Sequence, residues 1–457
     1  MRKNEVNMLS GSVMKGLLTI SVPIMIMNVL QSLFSIVDMT VLKIYDTSGG
    51  YSVGAVGASS TLISLITGLL IGISAGANVI IAKYIGKGET ESIEKSVSTS
   101  IAFSIIGGVA LLLIGVLFSK LFLKLTNCPD SLLEQAVLYF KLYFIGSPIL
   151  MLYNFFASIL RATGDSKRPM VFLTIGGIVK VFFNFLFVGV FKMQVVGVAL
   201  ATIASWSISA FLAGYSLYNN QGAVNFRFRR IKIYGSYLKE ILIIGIPTGM
   251  QQVLYSIANV IITSTVNTFG PDATTGISIA NQFDAILYQI SVAPSLAVMP
   301  YVSQNVGAKN IKRAKESTYK GLMITILFGA SFGSLSAIFS GQLSSIMSND
   351  PNVIAYSRQK MVIISSTYFI SGINEVLGGA LKGMGKPIVP MVCTLLFMCV
   401  IRFFWVYLIF PLYRNLTFLY LIWPIGWILS TIVLTIFLLI TTRSLVKKFN
   451  TVKEKVN

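Results

Sequence analysis

The stretch Leu160-Arg-Ala-Thr-Gly-Asp-Ser-Lys-Arg-Pro-Met170 returns 221 residues later as Leu381-Lys-Gly-Met-Gly-Lys-Pro-Ile-Val-Pro-Met391. Leu, Gly, Pro and Met match in place, Arg161 answers to Lys382, and small Ala162 to small Gly383. In both copies a basic, Gly-containing turn joins one long apolar segment to the next. The same offset pairs Ile85-Gly86-Lys87 with Val306-Gly307-Ala308, each followed by a charged run. With a three-residue shift, Pro23 and Asn28-Val-Leu pair with Pro247 and Gln252-Val-Leu. The chain reads as two parallel homologous halves, an organisation common in transporters, where the substrate site lies between or inside the repeats.

The segments around these turns decide the class. Of 457 residues 54% are apolar and only 11% charged, against roughly 25% charged in a soluble globular chain. Apolar runs of about 20 residues recur throughout, long enough to cross the hydrocarbon core as helices. They are continuous rather than alternating, which excludes a membrane β-barrel. The run starting near Leu17 is too long for a signal-peptide core and is read as a retained helix. The expected fold is all-α integral membrane, with twelve spans at 17–42, 54–82, 97–119, 135–160, 169–191 and 195–217, then 239–268, 275–303, 320–346, 360–381, 388–411 and 417–441. The expected domains are an N-terminal six-helix lobe (1–217), a cytoplasmic linker (218–238) rich in Arg227, Arg229, Arg230 and Lys232, a C-terminal six-helix lobe (239–442) and a cytoplasmic tail (443–457). The polar stretch 83–95 is expected to be a loop carrying a short surface helix.

A net charge of +20 suggests nucleic acid until its distribution is plotted on those spans. Of the 36 Lys and Arg, 26 fall on the side of the termini and 7 on the other, with Lys141, Lys180 and Arg402 inside spans. That asymmetry is the positive-inside pattern. It predicts a multi-pass protein of the plasma membrane with cytoplasmic termini, basic loops resting on anionic lipid, and no nucleic-acid partner. Three Cys and no His exclude histidine metal sites, Ser-His-Asp triads and His proton relays, and indicate no disulfide framework. The segment Ala380-Leu-Lys-Gly-Met-Gly-Lys-Pro387 lacks the first Gly of a phosphate loop and has Pro387 in place of the magnesium-binding hydroxyl residue. Without its own nucleotide engine, transport would draw on an ion gradient. No cofactor, no catalytic residue and no defined metal site are expected, and a monomer is the default.

Ionisable residues at membrane depth are costly and are functional candidates by default. Asp38 lies in span 1. Lys180 and Asn184, at i and i+4, share a face of span 5, and Thr202 and Ser205 lie on span 6. Counting about 1.5 Å per residue, Asp38, Asn184 and Thr202 can converge on one polar pocket, with Asn154 of span 4 as a hydrogen-bonding support. Two readings stay open. Asp38 is a coupling carboxylate that alternately holds and releases a proton or cation, or Asp38 and Lys180 form a fixed ion pair that locks helices. Lys141 near a span end snorkels to the interface. In the second half Asp284 and Arg402 are both mid-span and are expected to pair. Glu375 occupies the position equivalent to Asn154, and Gln251 and Gln252 add polarity. These groups either attract an organic cation or hold helices together.

At this point the chain resembles the multidrug and toxic compound extrusion (MATE) family over nearly its whole length. The resemblance rests on the two six-helix halves, the span-1 segment Pro23…Leu30-Gln31-Ser…Ser35-Ile-Val-Asp38, the Gly86 and Gly307 loops, and the paired turns. It implies a V-shaped, two-lobed antiporter that exports amphipathic organic cations, its small-molecule substrates, against inflowing protons or sodium. It places the family's span-1 Asp on Asp38 and its span-6 Thr on Thr202. Where the family often has Asn and Asp four apart in span 5, this chain has Lys180 and Asn184. Lys180 would then stand in for a bound metal cation, which favours proton coupling. A flippase for lipid-linked saccharides is the nearest rival and would have fourteen spans and a basic cavity. A prenyl-pyrophosphate transferase would need DDxxD-like pairs, which are absent from the sequence. Pro23, Pro148, Pro247 and Pro294 are the candidate bending points.

Overall fold

The computed structural model describes residues 5–46, 51–126, 128–219, 224 and 231–454. Among these it contains helices and connecting turns only. Eleven helices are long and apolar enough to cross a membrane, and a bent pair supplies a twelfth span. In chain order they are α1 (Val13–Tyr45), α2 (Tyr51–Lys87), α3 (Thr90–Leu125), the pair α4 (Asp130–Ile145) and α5 (Ser147–Ala162), α6 (Lys167–Val190) and α7 (Gln194–Tyr218). After the linker come α8 (Gly235–Phe269), α9 (Pro271–Gly307) and α10 (Ile311–Ile338). The short α11 (Ser340–Ser345) precedes α12 (Pro351–Gly383), α13 (Ile388–Leu412) and α14 (Leu416–Thr451). Residues 220–223 and 225–230 of the 218–238 linker, including Arg227, Arg229 and Arg230, lie outside the described residues, as do 455–457 of the tail.

The sequence repeat reappears as repeated backbone chemistry. After α5, Gly164 takes φ +91°, its N–H donates to Arg161 O (3.0 Å), and Asp165 N–H donates to Leu160 O (3.0 Å). After α12, Gly385 takes φ +79°, with Gly385 N–H to Lys382 O (2.9 Å) and Lys386 N–H to Leu381 O (2.8 Å). Each is a left-handed helix stop whose two bonds satisfy carbonyls the helix end would leave open. The turn after α2 has its counterpart after α9. Gly88 (φ +72°) bonds back to Ile85 O at 3.1 Å, and Lys309 (φ +58°) bonds back to Val306 O at 3.1 Å. Here the second copy keeps the left-handed backbone without the glycine.

Several boundaries differ from expectation. The stretch 83–95 holds no separate surface helix, because α2 continues through Lys87 and α3 starts at Thr90. Span 4 is bent by 46° between Ile145 and Ser147. Pro148 follows that break, whereas α1, α8 and α9 run unbroken past Pro23, Pro247 and Pro294. The span read at 360–381 begins at Pro351, where Asp350 caps the helix by accepting from Asn352 N–H (2.8 Å). A Pro at the first turn behind an Asp cap is a strong helix start.

The chain divides into two compact units. The first comprises Met1–Val6 and Ile26–Gly249, the second Asn7–Met25 and Met250–Asn457. Thus α1 passes from the second unit to the first after Met25, and α8 from the first to the second after Gly249. Inside the first unit α2 and α8 cross through glycines. A Cβ on Gly72 would lie 2.2 Å from Gly249 Cα, and one on Gly76 would lie 2.3 Å from Ile241 O and 2.7 Å from Gly245 N. Gly72-x-x-x-Gly76 facing Gly245-x-x-x-Gly249 is a small-residue seam that lets membrane helices touch backbone to backbone. Lys83 Nζ to Glu240 (3.0 Å) and Tyr84 Oη to Glu240 (2.9 Å) tie the same two helices. In the second unit, Arg313 donates to the carbonyls of Met8 (2.8 Å), Ser10 (2.6 Å) and Gly11 (2.9 Å), which fixes residues 7–11 to the start of α10.

Candidate functional site

The polar cluster of the first unit is assembled by close packing of α1 on α6. A Cβ on Gly177 would fall 1.9 Å from the Phe34 ring, so only glycine lets that ring seat on α6. One turn beyond Phe34 comes Asp38, and about one turn beyond Gly177 comes Lys180. Lys180 Nζ donates to Asp38 Oδ2, and Asn184 Nδ2 donates to Asp38 Oδ1 at 2.6 Å. The side chains of Lys180 and Asp38 are 14% and 13% exposed, which takes both charges largely out of solvent. Asn184 is fully buried, and its Oδ1 has no partner. It is the last α-helical residue before a π-helical turn at Phe185–Val190. Such wide turns recur at functional positions.

Asp38, Lys180 and Asn184 are therefore brought together. The other first-half candidates make different bonds. Thr202 is buried, but its hydroxyl donates to Val198 O of its own helix (2.8 Å). Asn154 donates to Leu150 O (2.9 Å), also within its own helix, rather than supporting the Asp38 pocket. Ser205 packs against Gly176 at the α6–α7 seam. The Thr202 hydroxyl and the Asn154 amide each satisfy themselves on a carbonyl one turn back in their own helix, which spacing along a helix does not reveal.

The second unit holds a cavity of about 360 Å³. Its lining includes Asn259, Asp284, Tyr288, Lys360, Arg402 and Trp423. The expected Asp284–Arg402 pair is absent. Asp284 Oδ2 instead pairs with Lys360 Nζ at 2.8 Å, and Lys360 also donates to Asn281 Oδ1. Lys360 is only 2% exposed. Sequence reading placed it at the edge of its span and missed it, because the helix start at Pro351 puts it more than two turns inside. Arg402, 1% exposed, donates from Nη1 to Asn259 Oδ1 at 2.9 Å, and its guanidinium lies 4.9 Å from the Trp423 ring centroid. It sits between two π-helical turns, Leu395–Val400 and Trp405–Ile409.

Gln252 lines the cavity, whereas Gln251 is buried with an unpartnered Oε1. Glu375 is buried, and its Oε1 has no partner. A cross-helix pair thus recurs in each unit. Asp38–Lys180 joins α1 to α6, and Asn259–Arg402 joins α8 to α13 at nearly the same offset.

Comparison with known proteins agrees with this architecture. The MatE family model matches twice, over residues 23–186 and 247–408. The probable multidrug resistance protein YpnP of Bacillus subtilis is 28% identical over 86% of this chain and 87% of its own length. The probable multidrug resistance protein NorM of Thermotoga maritima is 26% identical over 83% and 82% respectively. Among solved structures, an outward-facing multidrug resistance MATE family transporter of the MOP superfamily superposes with a TM-score of 0.90 at 21% identity, covering 98% of this chain and 99% of that one. A multi-pass helical protein whose two halves each match the same family model, this chain belongs to the MatE family of multidrug efflux (MATE) transporters.

Proposed function

We propose that the protein is a secondary active antiporter of the plasma membrane, with cytoplasmic termini. It expels amphipathic organic compounds, organic cations among them, in exchange for protons taken up at Asp38. One observation carries the choice of proton over sodium. Both oxygens of Asp38 already accept hydrogen bonds, from Lys180 and from Asn184. The Lys180 ammonium thereby supplies the positive charge that a metal ion would otherwise bring to the carboxylate.

The mechanism follows from what a proton does to this cluster. When Asp38 is ionised, the Lys180 ammonium and the carboxylate hold α1 to α6 in a poorly hydrated setting. Protonation of Asp38 removes the charge that Lys180 answers, so the pair loosens and the ammonium must find other acceptors. An equilibrium between inward- and outward-open states shifts only by the difference in binding free energy between them. The proton supplies such a difference at α1–α6, and the substrate supplies the opposing one. Protonation and substrate binding then favour opposite states, which is the requirement for exchange.

The test is efflux of ethidium from proteoliposomes under an imposed pH gradient with sodium absent. Wild type is expected to move ethidium, and Asp38→Asn to lose gradient-driven movement while still folding. Efflux driven by a sodium gradient and indifferent to the pH gradient would overturn proton coupling.

A further inference from the structure

The cavity of the second unit has the wrong charge for a cation. Its lining carries Lys360 and Arg402 against a single carboxylate, Asp284. That carboxylate is already paired with Lys360 at 2.8 Å. Arg402 has no carboxylate within ion-pair distance among the described residues. Glu375 lies outside the lining.

A guanidinium has five N–H donors. Here one nitrogen, Nη1, meets a neutral acceptor, Asn259 Oδ1, at 2.9 Å. Nη2 reaches only the Met398 sulfur at 4.0 Å, and Nε is buried with no partner at all. The Trp423 face compensates part of the charge. A buried charge left this short of acceptors calls for a counter-charge.

We infer that this cavity is a binding site for an aromatic organic anion, whose carboxylate, sulfonate or phosphate group takes Arg402. The free Nε–H and the Nη2 donors form the fork that receives two oxygens of one oxyanion. The rest of the lining supports a flat apolar body. Tyr255, Tyr288, Tyr368 and Trp427 all face the space, and about 360 Å³ lies within the range of small-molecule sites. Asp284 adds a specificity element. Its Oδ1 is buried and unpartnered, so a guest with an N–H or O–H donor satisfies it, while a second negative charge there is repelled. The assignment adds an anion-accepting site to the efflux activity and does not depend on how that efflux is powered.

The experiment is calorimetric titration of the purified full-length protein with a shape-matched pair, 2-naphthalenesulfonate and (2-naphthyl)trimethylammonium. The sulfonate is expected to bind wild type at least about tenfold more tightly than the ammonium. Arg402→Gln is expected to weaken the sulfonate by at least about 30-fold, as truncating one side of a buried charged hydrogen-bonded pair does, and to leave the ammonium within about threefold. Arg402→Lys should recover part of the loss. Equal affinities for the two ions, or tighter ammonium binding, would overturn the assignment on wild type alone, whatever the variants do. Unchanged sulfonate affinity in folded Arg402→Gln would overturn it as well. Because the readout is binding, a failure of proton-driven efflux leaves this test intact.

Discussion

Replacing Lys180 by Gln probes the α1–α6 cluster most directly. The substitution keeps an N–H donor on a side chain one atom shorter and removes the charge. Asp38, 13% exposed at its side chain, is left with Asn184 as its donor among the described residues. Removing one partner of a buried pair costs about 3–5 kcal/mol when the other stays charged. The protein has a cheaper remedy as the pH falls, which is to protonate Asp38. For a carboxyl of ordinary pKa, about 3.9, that step costs about 4 kcal/mol at pH 7 and about 1.5 kcal/mol at pH 5. The penalty of Lys180→Gln therefore has a ceiling that drops with pH. Relative to wild type the variant should be destabilised by about 3 kcal/mol at pH 7 and by about 1.5 kcal/mol or less at pH 5.

Sodium offers a second remedy, because the vacated space faces a carboxylate and the unpartnered Asn184 Oδ1. A cation bound there at a hundred times its Kd would return about 2.7 kcal/mol. The assay is the apparent unfolding midpoint of both proteins at pH 7 and pH 5, in choline and in sodium salts. The expected pattern is a gap at pH 7 that narrows at pH 5 and narrows with sodium at pH 7 only in the variant. A gap that is absent, or that is the same at both pH values, would refute the electrostatic account of the cluster.

Two further outcomes follow from the packing. Lys309→Gly should raise stability by about 0.5–1 kcal/mol, since a left-handed residue with a Cβ costs about 1–2 kcal/mol and glycine returns part of that as chain entropy; a lower unfolding midpoint would contradict it. Gly177→Val should separate Phe34 from α6 and with it Asp38 from Lys180, so that ethidium efflux falls at least about tenfold while Gly57→Val, where a Cβ meets nothing within 4 Å, serves as the tolerated control.

The twelve-span pattern and the internal repeat were legible because both are written in long-range regularities. Apolar runs and equal spacings survive divergence that erases individual residues. The Asp38–Lys180–Asn184 grouping was legible for a similar reason, since few polar residues occur in those spans and i, i+4 spacing puts two of them on one face. Lys360 was not legible. It follows Arg358 and Gln359, so hydropathy reads it as loop, and only the helix start fixed by Asp350 and Pro351 carries it inward. That one boundary reassigned the partner of Asp284 and reversed the charge expected in the second unit. Thr202 and Asn154 failed differently. A hydroxyl or amide on a helix competes for its own backbone carbonyl, and spacing cannot say which acceptor it takes.

The sharing of α1 and α8 between units has a consequence for how the protein is made. Residues 7–25 leave the ribosome well before Met250–Asn457, the rest of the unit they belong to. The first unit in turn is complete only once the chain has grown through Gly249. A nascent chain that has just emitted the 218–238 segment has therefore finished neither unit. Its first helix holds a section still waiting for a partner, and its α2 glycine seam is still uncovered. Biogenesis of the two halves is interlocked in time, so a gene cut at the repeat boundary would yield two products that each lack a piece the other carries.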